Sequence, residues 1–196
     1  MKVRAVALVA AIAVPAAVSA ARAPDTAQHD VNIVAIASGI HATGTVGTAS
    51  LLGRRSKSSG CTLGVLPDTR CSPGAIDRSR PASVLCDASF RTGTVRNVSD
   101  ATKHAIEIEY GLAPKAYGSS LEIDHIVSLE LGGANDIANL YPELAPGFHV
   151  KDKLENRLHR LVCAGKLSLR TAQRRIASDW TALYPTAFGT PAPVGR

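Results

Sequence analysis

Cys61, Cys71, Cys86 and Cys163 restrict what this chain can fold into more than any other set of residues. An even number of cysteines invites pairing, and each pair closes a loop that the fold must accommodate. The spacings are ten, fifteen and seventy-seven residues, with no C-x-x-C, which argues for disulfides over a structural zinc site. Three pairings are possible. Cys61 with Cys71 and Cys86 with Cys163 is favoured, because the first closes a local loop and the second ties the N-terminal part to a late helix. On chain-entropy grounds the short loop is worth about 3 kcal/mol and the long one about 4–5 kcal/mol. Disulfides imply an oxidising compartment.

The N-terminus reads as an export signal. Lys2 and Arg4 form a basic start, Ala5 to Val18 is an apolar stretch interrupted by Pro15, and Val18-Ser19-Ala20 offers a signal-peptidase site. Residues 1–20 are therefore a signal peptide, and the protein is expected to be periplasmic or secreted, with no membrane span once the signal is removed. Removing Lys2 and Arg4 takes the formal charge from +6 to +4, which permits a polyanionic partner without demanding one. Residues 21–60 are rich in Ala, Gly, Ser and Thr and read as a poorly ordered linker, ending in the exposed run Arg54 to Gly60. The domain spans 61–184, and a loose tail follows over 185–196. A monomer is expected.

Within the domain, residues 61–86 are dense in turn residues and form an irregular, disulfide-stapled lobe. Phe90 to Val98 reads as a short strand. Ser99 caps a helix from Ala101 to Tyr110, with Ala101, Ala105 and Ile108 on one face and Gly111 as its stop. Lys103 and His104 belong to a solvated face. Val150, Leu154, Leu158 and Leu161 then mark an amphipathic helix. Ser168 caps another, in which Leu169, Ala172, Ile176, Trp180 and Leu183 face the core. Basic residues crowd the segment from Lys151 to Arg175, and Lys151, Arg157 and Arg160 are read as contacts to a phosphate backbone. Glu130, Glu143 and His159 read as surface residues, with Glu143 an outside candidate to support the site from behind, and Asn135 reads as a turn residue.

The chemistry concentrates in Leu121 to Glu143, LEIDHIVSLELGGANDIANLYPE. Asp124 is a hard oxygen ligand for a divalent cation. His125 is the side chain whose ordinary pKa lets it take a proton near neutrality. Adjacent strand residues point to opposite sides, so one can face a metal and the other a water. Metal-assisted phosphodiester hydrolysis needs that pair of roles.

These residues, with Gly132-Gly133, Asn139-Leu140 and a following helix, resemble the HNH endonucleases and their ββα-metal finger. More closely, Cys61 to Trp180 resembles a group of secreted bacterial HNH-like proteins, through CTLGVLPD, CSPGA, IDHIVSLELGG, NLYPE, VKDKLEN, LHRLVCAG and AQRRIASDW. The resemblance implies an α+β fold: a small β-hairpin plus helix forming the finger, an additional C-terminal helix, and the stapled N-terminal lobe. It implies a metal-dependent endonuclease with His125 as general base, Asp124 as metal ligand and Asn139 bracing the loop. The last ligand falls on the helix: His149 is the first choice, with Asp152 and Asn156 as alternatives on the same face. Mg²⁺ is the default cation, and Mn²⁺, Ni²⁺ or Zn²⁺ are admissible. The partner is nucleic acid, with DNA favoured over RNA. The alternative is a non-catalytic nucleic-acid-binding or envelope protein that keeps the finger as scaffold. The zinc-knuckle cysteines of many HNH proteins are absent, and disulfides take their place.

Overall fold

The computed structural model describes residues 49–194, so the signal peptide and most of the linker lie outside the described residues. The fold is α+β, with two two-stranded antiparallel sheets and helices packed on them. No helix among the described residues is long and apolar enough to cross a membrane. Both disulfides form, Cys61–Cys71 and Cys86–Cys163.

The second sheet carries the central stretch. Strand β3 (Leu121–His125) pairs with β4 (Leu140–Leu144), with Asp124 opposite Tyr141 and His125 opposite Leu140. The connection makes two single 3₁₀ turns, Leu129–Leu131 and Ile137–Asn139. Gly132 closes the first with a left-handed φ of 77°, which glycine adopts without steric cost. Gly133 is required for a different reason: a Cβ there would meet the Val127 carbonyl oxygen at 1.7 Å.

A short N-terminal sheet buttresses this loop. Strand β1 (Ala49–Leu51) pairs with β2 (Ala75–Asp77), and β2 bonds onward to the glycine turn. Asp77 N–H donates to Gly132 O at 2.8 Å, and Ala134 N–H donates to Ala75 O at 3.0 Å. Regular structure is therefore present at Ala49–Leu51, inside the segment read as linker. The sequence held no strong strand signal there, because three residues suffice when the partner, β2, is itself held by the glycine turn.

Helices α1 (Ala82–Leu85) and α2 (Thr92–Val95) are single turns. The strand read over Phe90 to Val98 is thus corrected. Among the described residues the β3–β4 sheet has no third strand, and Val95 O instead accepts from the Asn135 side chain. Helix α3 (Asp100–Glu109) starts at Ser99, whose hydroxyl accepts from Thr102 N–H. Its buried residues are Ile106, Glu107 and Glu109, whereas Ile108 is exposed.

Helix α4 (Gly147–Cys163) follows β4, so the local order is strand, strand, helix. It buries Val150, Leu154, Leu158 and Val162 at helical spacing. Helix α5 (Leu169–Phe188) is capped by Ser168 and breaks at Asp179, whose carboxylate accepts from Ala182 N–H and restarts the helix. It extends past Pro185, into the segment read as tail. Trp180 is buried in the core, with Nε1–H donating to Val65 O at 3.2 Å. The central apolar cluster joins β3, β4, α4 and α5, and the disulfide Cys86–Cys163 ties α4 to the end of α1.

Candidate functional site

An open cleft of about 520 Å³ lies against the end of β3. Asp124, His125 and Ser128 enter it from β3 and the residues after it. Asp152 and Glu155 enter from α4, and Arg96 and Lys103 from the segment before β3. Both members of the Asp124-His125 pair line this cleft although alternation predicts opposite faces, because the strand ends there and the chain turns away.

His125 is almost wholly buried. Its Nε2 lies 3.1 Å from Asn135 Oδ1, and Asn135 Nδ2 donates to Val95 O at 2.7 Å. The amide nitrogen is thus committed to a carbonyl, so the amide oxygen faces the ring and must accept from Nε2–H. That leaves Nδ1 as the nitrogen with the free lone pair, and Nδ1 is buried with no partner. Burial pushes the imidazole pKa down to about 4, and the neighbouring Asp124 carboxylate only partly opposes it. The ring is neutral near neutrality, and its acceptor nitrogen is buried and unpartnered.

Asn139 braces the loop with its full hydrogen-bonding capacity. Oδ1 accepts from Val127 N–H at 3.0 Å and Ala75 N–H at 3.2 Å, and Nδ2 donates to Val127 O and Ala134 O. One amide therefore joins the backbone after His125, the glycine turn and β2. It is not among the cleft residues.

Lys151 overturns its reading as a phosphate contact. It is fully buried, and its ammonium donates to Asp124 Oδ2 at 2.6 Å and to His125 O at 2.8 Å. Glu155 Oε1 at 2.7 Å and Glu143 Oε2 at 3.3 Å complete the cluster as ion pairs. A buried lysine keeps its charge only where opposite charge compensates for lost hydration. Burial alone would lower its pKa, but Asp124, Glu155 and Glu143 outweigh that and hold it above the ordinary value. Glu143, read as a surface residue, is likewise fully buried. Burial raises its pKa to about 7 against the pull of Lys151. Burial also raises Glu155, whereas for Asp124 the ammonium prevails over burial and lowers the pKa. Asp124 is thus held ionised against Lys151, while burial pushes both glutamates toward their protonated forms.

The remaining sequence candidates separate. Asp152 lines the cleft, and burial with the Asp124 charge raises its pKa. His149 is exposed, its ring centroid 4.2 Å from that of Phe148, and is not among the cleft residues. Asn156 is exposed and bonds back to Asp152 O on its own helix. Arg157 and Arg160 are exposed on α4 and do not line the cleft. His159, read as a surface residue, is half-buried and donates to Leu85 O at 3.1 Å. Among the described residues, three His, Cys, Asp or Glu ligand atoms come within 4.8 Å of one another only at Cys86, His159 and Cys163, where the two sulfurs are joined in a disulfide.

Arg96, Ser128, Glu155 and Asn135 escaped the sequence reading. Only Glu155 left a signal: it stands four residues after Lys151, and both share the face of Leu154 and Leu158. Asp124, Asp152 and Glu155 line one cleft without gathering their oxygens within 4.8 Å of one another, beside a Ser128 hydroxyl that is buried without a partner. The chain matches no protein-family model, no curated protein and no solved structure.

Proposed function

We propose that the protein is an exported HNH-type endonuclease that hydrolyses phosphodiester bonds with a divalent cation. The strand–strand–helix unit of β3, β4 and α4 would serve as its ββα-metal finger. The observation that carries this reading is the neutral His125 ring, with Nε2–H held by Asn135 and Nδ1 unpartnered beside a carboxylate-lined cleft. A nuclease base needs that state, because it must accept a proton from water at the pH where it works.

In this reading His125 Nδ1 takes the proton of the attacking water. Asn135 fixes the tautomer and the ring angle. Arg96 and Lys103, on the same cleft, hold the phosphate by charge, and the Asn139 brace keeps the His125 backbone from shifting. Asp124, with Asp152 and Glu155, would hold the cation. When bound, the cation neutralises charge on the scissile phosphate and the departing oxygen. Lys151 positions Asp124 and keeps part of its charge balanced without reaching the substrate.

One observation favours a second reading. The 2.6 Å contact from Lys151 already neutralises Asp124 Oδ2, as it would in a finger kept as a nucleic-acid-binding scaffold without catalysis. Incubating the disulfide-bonded protein with single- and double-stranded DNA and RNA, across Mg²⁺, Mn²⁺, Ni²⁺ and Zn²⁺ with an EDTA control, separates the two. The nuclease reading expects cation-dependent cleavage that EDTA abolishes. Salt-sensitive binding without cleavage in any cation would establish the scaffold instead.

A further inference from the structure

We infer that a second groove, between the stapled N-terminal lobe and α5, holds the phosphodiester backbone of nucleic acid. The polyanion is identified by the nuclease reading above, on which this inference rests. The groove measures about 540 Å³ and shares no lining residue with the cleft. Arg54, Arg70 and Arg174 line it, with the Thr69 and Ser178 side chains and no carboxylate. Leu52, Pro73 and Ala177 are its apolar part.

The three arginines come from three fixed segments. Arg54 follows β1, where Leu52 N–H donates to Gly74 O. Arg70 precedes the disulfide-bonded Cys71, and its carbonyl accepts from both Ser56 and Lys57 N–H. Arg174 stands on α5 beside the buried Gln173. Elsewhere the protein uses arginine structurally: Arg55 pairs with Glu109, and Arg80 with Asp77. Among the described residues Arg54 and Arg174 make no such side-chain bond, and Arg70 makes one long ion pair, with Asp68 at 3.6 Å, its side chain 66% exposed. Three available guanidiniums around an acid-free groove form a site for phosphate oxygens, since a planar guanidinium donates two parallel bonds to an anion. The apolar part accommodates sugar carbons. Nothing in the groove reads base edges, so contact there adds affinity without sequence preference.

The test is anisotropy of a labelled oligonucleotide in EDTA, titrated with the full-length disulfide-bonded protein across a range of NaCl concentrations. One variant replaces Arg54, Arg70 and Arg174 with Gln. Its control replaces Arg91, Lys166 and Arg170, which are exposed and line neither hollow, so that the charge loss is equal. The groove variant should bind about tenfold more weakly at low salt, and its log–log salt slope should be shallower by about two. The control should stay within about threefold of wild type after the general charge loss. Equal loss in both variants overturns the groove, as does absence of oligonucleotide binding by the wild type. Groove-dependent binding to phosphatidylglycerol vesicles without oligonucleotide binding also overturns it, in favour of a lipid phosphate. EDTA keeps the two proposals separable. Groove-dependent binding by a protein that cleaves in no cation sinks the nuclease reading alone, and cleavage unaffected in the groove variant sinks the groove alone.

Discussion

Two hollows of nearly equal size are built by opposite rules. The cleft beside β3 rests on charges in the protein interior: Asp124, Glu143 and Glu155 are buried and each pairs with the buried Lys151, while Arg96, Lys103 and Asp152 stand exposed along its sides. The groove beside α5 has its charges at the rim, on arginines with exposed side chains. Charge in the first is fixed by neighbours and is sensitive to their loss. Charge in the second is solvated, with one long ion pair between Arg70 and Asp68. A site that must hold a ring at a set angle needs the first construction, and a surface that must hold a repeating anion is served by the second.

The largest expected effect follows from Lys151. Lys151→Met leaves three buried carboxylates without their cation, which should cost about 3–5 kcal/mol of stability in urea unfolding. Arg174→Gln should stay within about 0.5 kcal/mol in the same assay. Comparable losses from the two variants would erase the distinction between the hollows.

A smaller effect separates the hollows by pH. The His125 pKa is depressed from 6.5 to about 4 by burial, so its contribution is present above 6.5 and is lost as pH falls through 4. Glu143 runs the other way. Its pKa is raised from 4.5 to about 7 by burial, so its contribution is present below 4.5 and fades as pH rises through 7. The two slopes oppose each other across the overlapping window, between roughly pH 4.5 and 6.5. Glu143→Gln should therefore steepen the acid loss of stability, by about 2 kcal/mol over that window. Substituting the groove arginines, which lie apart from His125 and Glu143, should leave the pH profile of stability parallel to that of wild type. An unchanged slope in Glu143→Gln would count against a buried Glu143 with a raised pKa.

The smallest stability change belongs to Asn135. Asn135→Ala removes one bond to the imidazole and one to Val95 O, for about 1 kcal/mol. Cleavage should nonetheless fall about tenfold to a hundredfold, because an unheld ring loses its angle and tautomer. Equal cleavage by Asn135→Ala and wild type would show that the amide does not position the base.

The parts legible in the sequence rest on short-range rules. Ser99 and Ser168 cap helices as their neighbours dictate, and the α4 and α5 cores follow helical spacing. The disulfide pairing followed from loop lengths. Asn139, which the HNH resemblance marked as a brace, bonds to three backbone segments. What escaped depends on residues far apart in sequence. Asn135 looked like a turn residue because its partners are Val95 and His125. Lys151 looked like surface charge because two of its three carboxylates lie on β3 and β4. Its place on the Leu154–Leu158 face was the one local sign that it points inward. Strand β2 had no signal of its own, since it is ordered by the glycine turn it supports.

The central claim is that His125 accepts the proton in a cation-dependent hydrolysis at this cleft. The most direct test compares single-turnover cleavage of DNA by wild type and His125→Ala, in saturating Mg²⁺, with binding of the same DNA measured in EDTA. The account predicts cleavage reduced by about 10²–10⁴-fold with binding within about threefold of wild type. Equal cleavage by the two proteins would contradict it.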